Sequence, residues 1–261
     1  MFSLHDHPAS AGMKASDRKK KRIVINDVNG ELMDTYRSMR NDIDSLVSEL
    51  QSRENNISES DYYTARDTWV PTNQTENATR MIYLNRLAFN GLYRVRADGK
   101  FNVPFGKIAN PTICNEGLLR ANSDWLGIVD IREGSFTSAV NDAQAGDLVY
   151  LDPPYLPLTP TSSFSKYAKD DFREMDQWAL RGVVEGLINR GVHVMLSNSN
   201  TELTRTIFSN LDLYVVTASR SISAAAGSRN RVEEVLGISY PIKKTANPLE
   251  VGNLKVHPKS K

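Results

Sequence analysis

The sequence predicts an α/β protein with a mostly parallel sheet covered on both faces and an insert of different character. Three observations predict it. From Trp125 onward, short apolar runs alternate with amphipathic stretches. Leu148 to Leu151 is continuously apolar, the mark of a strand buried on both sides. Residues 51–120 break that rhythm, first polar and then basic and aromatic. A chain of 261 residues accommodates one α/β domain of about 150 to 200 residues plus such an insert.

The elements follow in order. Residues 1–22 are expected to form a disordered basic tail, aperiodic and ending in Lys19-Lys20-Lys21-Arg22. Residues 23–50 begin the catalytic domain. Arg22 to Asp27 reads as a buried strand, and Leu32, Tyr36, Met39, Ile43 and Leu46 fall at helical spacing. In the insert, 51–75 is polar with Tyr62 and Trp69 as packing anchors, Arg80 to Asn90 reads as helix, and Gly91 to Gly106 as a hairpin turning at Ala97-Asp98-Gly99. Residues 121–240 resume the domain, with strands at Ile128–Ile131, Leu148–Leu151, Val192–Ser197, Tyr214–Thr217 and Val232–Ser239. Helices are expected at Phe136–Asn141, Met175–Arg190 and Thr201–Asn210. Residues 241–261 read as a polar tail.

Composition narrows the function classes. No apolar run approaches the ~20 residues of a membrane span and no signal-peptide pattern opens the chain, so a cytoplasmic protein is expected. Cys114 is the single cysteine, which excludes a disulfide framework and argues against a thiolate zinc site. His5-Asp6-His7 has no further ligand near it, so no metal is expected, and His193 inside an apolar run reads as a core histidine. There is no Ser-His-Asp spacing and no Walker-type loop. Net charge is +1, but between Arg80 and Lys107 six basic residues face Asp98 alone, interleaved with Tyr83, Phe89, Tyr93, Phe101 and Phe105. Such a stretch is either a solvated face or a nucleic-acid surface, and the aromatics favour the latter.

The most specific chemistry lies at the end of the Leu148 strand, in Asp152-Pro153-Pro154-Tyr155. The exocyclic amino nitrogen of a base is a poor nucleophile because its lone pair is delocalised into the ring. A carboxylate and a backbone carbonyl that accept its two hydrogens localise that pair, and paired prolines stiffen the loop while removing local N–H groups. Tyr155 offers a flat face to a base extruded from its duplex. The alternative is an Asx turn leading into a Pro-Pro loop.

With these residues in view, the chain resembles the alpha group of DNA adenine methylases. The resemblance runs from about Ile25 to Leu236. It rests on Asn26-Asp27-Val28-Asn29, Leu84-Asn85-Arg86, Phe89-Asn90-Gly91-Leu92-Tyr93-Arg94, Phe101-Asn102-Val103-Pro104-Phe105-Gly106, the Asp-Pro-Pro-Tyr loop, and Arg220-Ser221-Ile222-Ser223 with Arg229 beyond. It implies a Rossmann-like sheet, S-adenosylmethionine as methyl donor, and double-stranded DNA, commonly GATC, as substrate. It further implies that Asp27 holds the cofactor ribose, that Phe136 stacks on its adenine (or is simply a core residue), and that Asp152 faces both cofactor and target. Tyr155 would sandwich the flipped adenine, and Phe89 and Asn90 would fill the gap it leaves. Leu92, Arg94 and Pro104 would read base edges in the major groove. Ser197-Asn198, Arg220, Ser223 and Arg229 would clamp backbone or shape loops.

The pattern is incomplete. Family members carry a Lys-Trp-x-Gly-Gly-Lys stretch and a Phe-x-Gly-Gly-Gly loop ending their first strand. Here only Gly12 precedes Arg22. Strand one, central in such sheets, is therefore expected to be missing, together with the glycine loop that lets backbone approach the methionine moiety. A second polypeptide carrying the segment, a truncated relic, and a reading frame begun too late all account for this. The competing functions are thus an adenine-specific methyltransferase that needs the missing segment and a catalytically silent, sequence-specific DNA-binding protein. Related loops also serve RNA, cytosine or protein glutamine, but Asp at 152 and the Asn-Gly-Leu-Tyr-Arg string favour adenine in DNA.

Overall fold

The computed structural model describes residues 22–55, 57–96, 98–157, 172–219, 231–242 and 255–256. Of the expected tails at 1–22 and 241–261, only residues 22, 241, 242, 255 and 256 are among them. Among the described residues the fold is mixed α/β. It runs β1 (Ile23–Asp27), α1 (Gly30–Asn41), α2 (Ile43–Glu54), α3 (Glu59–Asp67), α4 (Gln74–Leu87), α5 (Glu116–Leu126), β2 (Val129–Glu133), α6 (Phe136–Ala139), β3 (Leu148–Leu151), α7 (Glu174–Asn189), β4 (His193–Ser199), α8 (Glu202–Ile207), β5 (Asp212–Ser219), β6 (Arg231–Ile238) and β7 (Lys255–Val256). No described helix is long and apolar enough to cross a membrane.

The helix expected from Leu32 to Leu46 is two helices. Asn29 caps α1 by accepting the Leu32 N–H, and Asp42, at φ −147°, ends it. The Asp42 carboxylate accepts from Thr75 Oγ1 (3.2 Å) and does not cap α2. A single intervening residue keeps Met39, Ile43 and Leu46 on one apolar face, which is why the periodicity hid the break. Helix α5 and helix α3 were not foreseen as helices. In α3, Ser58 caps the start and Tyr62 is wholly buried, its hydroxyl donating to Val103 O at 2.9 Å.

Strands β1 and β2 form a parallel pair, and a second sheet has the order β3-β4-β6-β5-β7. The expectation of a mostly parallel sheet holds for β1 with β2 and for β3 with β4. It fails beyond β4, where β6, β5 and β7 pair antiparallel. Two cores accompany the two sheets. One joins α1 to α5 with Phe101, Val103 and Ile113 and takes in Ile25, Val129 and Ile131, so residues 23–50 share a core with the insert. The other packs Leu151, Val194 and Leu196 against Leu180, Val184 and Leu187 of α7 and Ile207 of α8.

The segment after α6 is gripped from both sides. Arg132 and Arg22 bind the Asp142 carboxylate, while Arg190 donates to Val140 O and Asn141 O at 3.0 and 2.9 Å.

Two burial expectations are corrected. Strands β1 and β3 are not covered on both sides: Leu148 is 59% and Tyr150 45% exposed, and Ile23 and Val24 are exposed too. Among the described residues β1 pairs only with β2 and β3 only with β4, so each presents an open edge. His193 is no core histidine. It is exposed and meets Tyr240 edge-on at 5.0 Å, because residues 192, 194 and 196 take the inward positions of the strand and 193 the outward one.

Candidate functional site

The Asp152–Tyr155 loop leaves the carboxyl end of β3 and is fastened by β4 and α7. Gln177 Nε2 donates to Pro154 O (2.9 Å), and Asn198 Nδ2 donates to Gln177 Oε1 (3.1 Å). Asn198 Oδ1 accepts from Leu156 N (3.2 Å), and Ser199 Oγ donates to Leu156 O (2.7 Å). Gln177, Asn198 and Ser199 are buried, and their polar groups are paired as burial demands. On the other face of β4, Ser197 Oγ donates to Asp152 Oδ1 at 2.5 Å. Asp152 and Pro154 are exposed while Pro153 and Tyr155 are half-buried. Burial pushes the Tyr155 phenol up to about 12, with the Ser197 hydroxyl opposing and the Asp152 charge reinforcing the shift. The arrangement is a carboxylate and an aromatic ring held together at a strand end, open to solvent.

A second group of residues gathers at the carboxyl ends of β1 and β2. Asp27 Oδ1 accepts the Asn29 N–H at 2.8 Å, and Gly134 N donates to Asp27 O at 3.1 Å. Gly134, at φ 141°, turns the chain from β2 into α6 in a conformation that only glycine adopts readily. Ser135 caps α6, and Phe136 follows, half-buried and edge-on to Phe172 at 5.9 Å. Asp27 and Phe136 are therefore neighbours through this turn. Nearby, burial and then the Asp27 charge raise the Tyr36 phenol above its ordinary value.

The hairpin expected at Gly91–Gly106 is present as two isolated antiparallel bridges, Ala88 with Phe105 and Val95 with Phe101, rather than as regular strands. A 3-10 turn at Phe89–Gly91 leads into it, with Asn90 at φ 53° and Gly91 at φ 63°. That turn leaves Phe89 44% exposed, and Phe89 N donates to Pro104 O at 2.9 Å. Pro104 and Arg94 are exposed, whereas Leu92 packs partly against the helical core. Arg94 Nε donates to Asn102 Oδ1 at 2.7 Å across the hairpin. Tyr93 reaches the first turn of α1, its hydroxyl donating to Glu31 Oε2 at 3.3 Å. Burial, then Glu31, pushes its phenol up to about 12.

Not every basic residue of this stretch faces solvent. Arg80 is only 11% exposed and donates to Ala65 O and Arg66 O, with Glu31 3.8 Å away. Arg86 donates to Thr112 O. The count of six cations overstates the charged surface by Arg80, whose guanidinium satisfies carbonyls at the end of α3, whereas Arg86 stays exposed. Arg220, Ser223 and Arg229 lie outside the described residues. Ser197 and Asn198 are buried and bonded within the chain. Sequence reasoning missed Gln177, Ser199 and Tyr150. A signal for Gln177 existed: it occupies the stripe that Leu180, Val184 and Leu187 continue, a polar residue in a core position.

Comparison with known proteins gives the family. A family model described as D12 class N6 adenine-specific DNA methyltransferase matches residues 10–222. The type II methyltransferase M1.LlaDCHI of Lactococcus lactis subsp. cremoris is 36% identical over 228 residues, covering 84% of this chain and 80% of the relative. The type II methyltransferase M.MjaIII of Methanocaldococcus jannaschii is 35% identical over 233 residues, 84% and 81% of the two chains. The DNA adenine methylase of Escherichia coli (strain K12) is 33% identical over 224 residues, 84% and 80%. On the extent of these matches, the chain belongs to the D12 class of N6 adenine-specific DNA methyltransferases.

Proposed function

We propose that this chain carries the catalytic loop and target-recognition elements of a Rossmann-like enzyme that methylates the amino group of an adenine flipped from double-stranded DNA, in GATC-like sites. The observation that carries the reading is the clamped Asp152–Tyr155 loop, whose carboxylate and ring sit at the carboxyl end of a strand in a parallel pair.

In this reading Asp152 and a proline carbonyl accept the two amino hydrogens, drawing the nitrogen towards tetrahedral geometry. Tyr155 stacks on the extruded base. Phe89 and Asn90, on their exposed turn, fill the vacated space, and Leu92, Arg94 and Pro104 read base edges. S-adenosylmethionine, when bound, supplies an electrophilic sulfonium methyl group. The residues at the ends of β1 and β2 fit its adenosine half: Asp27 offers a carboxylate to ribose hydroxyls, and the half-exposed Phe136 ring offers a stacking face.

The reading extends to the sheets. A further strand between β1 and β3, on the same chain or on a second polypeptide, completes the cofactor site. Its support is the open, apolar edges of β1 and β3. Burying such edges unpaired costs about 1–3 kcal/mol for each unsatisfied backbone group.

The test is label transfer from S-adenosylmethionine to matched and scrambled duplexes, using the chain supplemented with the first-strand segment of an adenine methylase relative. Transfer to the matched duplex that Asp152→Ala abolishes is expected. Transfer undiminished by that substitution overturns the reading.

A further inference from the structure

Ser197 stands beside Asp152 because of strand register. Tyr150 pairs with Met195 and Leu151 with Leu196, and one step further brings Asp152 level with Ser197. Alternation along a strand puts Tyr150, Asp152 and Ser197 on the same face. There Ser197 Oγ donates to Asp152 Oδ1 at 2.5 Å and is joined to Tyr150 Oη at 3.1 Å. A hydroxyl owns one hydrogen, and an ionised carboxylate only accepts. With the Ser197 hydrogen on Asp152, Tyr150 must be the donor of the other bond. The chain therefore has one direction, from Tyr150 through Ser197 to Asp152.

Resting on the function proposed above, we infer that Ser197 is the positioning residue that occupies Asp152 Oδ1 and so presents Oδ2 to the adenine amino hydrogen. Asp152 is exposed, and an exposed aspartate exchanges rotamers freely unless something holds it. Ser197 is itself buried in β4, so its hydroxyl is a fixed point. A hydrogen bond to a charged acceptor is about twice as strong as one between neutral groups, and the short O–O distance is of that kind. The next residue, Asn198, holds the loop backbone at Leu156 N from the opposite face. Two successive residues of one strand thus divide the work, one fixing the side chain and one the main chain.

The experiment compares equilibrium binding of the full chain to two duplexes, one with adenine and one with purine, which lacks the amino group, at the target position, each opposite an abasic site so that extruding either base breaks no pair. The ratio within each variant cancels general losses of folding or DNA affinity. Wild type is expected to prefer adenine by about 10-fold, the worth of one hydrogen bond to a charged group. Ser197→Ala should lower the ratio by about 5-fold or more, as should Asp152→Ala, leaving only what the proline carbonyl contributes, while Ser197→Thr, which keeps the hydroxyl, should restore it. Adding Ser197→Ala to Asp152→Ala should change nothing further. Ser197→Cys, similar in size but a weak donor, replaces the alanine variant if that one does not fold. Should wild type show no adenine preference, the base-pocket reading and this inference fall together. If wild type prefers adenine and the Ser197 variants lacking the hydroxyl keep that preference, the inference alone falls.

Discussion

Gln177 on α7 donates its Nε2 hydrogen to the carbonyl oxygen of Pro154 at 2.9 Å, so the loop after β3 is tied to a helix that begins twenty residues later. Gln177 has a second tie, its Oε1 accepting from Asn198, and it is fully buried. Replacing it with Leu keeps the volume but strands both partners. Each buried unsatisfied group costs about 1–3 kcal/mol. Gln177→Leu should therefore lower the urea midpoint and impair methyl transfer by the supplemented chain. An unchanged midpoint would contradict a structural role for the clamp.

Gly106 is a packing necessity. A Cβ there would lie 2.7 Å from Ala88 O and 3.0 Å from Leu87 O, and these are backbone atoms at the end of α4. Gly106 N also donates to Leu87 O at 2.8 Å. Gly106→Ala should destabilise the protein by about 1–3 kcal/mol through overpacking, and should displace the hairpin bearing Arg94 and Pro104. Thermal melting reads the first effect and duplex binding the second.

Arg94 is held by Asn102, its Nε and Nη2 both donating to that residue, and it is exposed on the hairpin. Arg94→Ala should weaken matched duplex by about 1–3 kcal/mol and relax selectivity at one base pair. Lys107→Ala should instead weaken all duplexes alike, and more so at low salt. Competition gel shifts separate the two patterns. Equal losses on every sequence for Arg94→Ala would remove it from base reading.

The cluster that joins β1, β2 and the segment after α6 gives an acid dependence. Hydrogen bonds from Arg132 and then Arg22 hold the Asp142 carboxyl far below its ordinary range, and Arg22 and then Arg132 lower Asp130. A depressed carboxylate stabilises the fold above its unfolded pKa, about 3.9, and loses that contribution as pH falls through its folded value. Asp142→Asn should therefore lower the melting temperature at pH 7, with the difference from wild type closing as acid is added. The effect should shrink in 1 M salt, since the groups are exposed.

In the proposed reading Asp27 and Phe136 would hold only the adenosine half of S-adenosylmethionine, so the isolated chain should bind it weakly. Calorimetry giving micromolar affinity without a supplementing segment would show that no additional strand is needed.

Much of this was legible because it is local. The Leu148–Leu151 strand was read to the residue and α7 to within one residue at each end, since each is a continuous run with recognisable ends, whereas the helix expected at Arg80–Asn90 missed the first six residues of α4. The break at Asp42 was not legible, because one residue inserted between helices leaves the apolar spacing intact. Arg80 was misjudged as surface charge for a similar reason. Nothing in its neighbours along the chain reveals that Ala65 O and Arg66 O lie within its reach.

The amino-acid sequence by itself determined the family, through several motifs in order, and it set a carboxylate and an aromatic ring on a proline-stiffened loop at the end of β3. Tertiary structure decided what holds that string in place. Asp152 meets Ser197 across 45 positions of sequence and Pro154 meets Gln177 across 23. Those meetings depend on which strand lies beside β3, in what register, and on how α7 packs beneath it. No local pattern encodes them, because they arise only when distant apolar surfaces have been buried together.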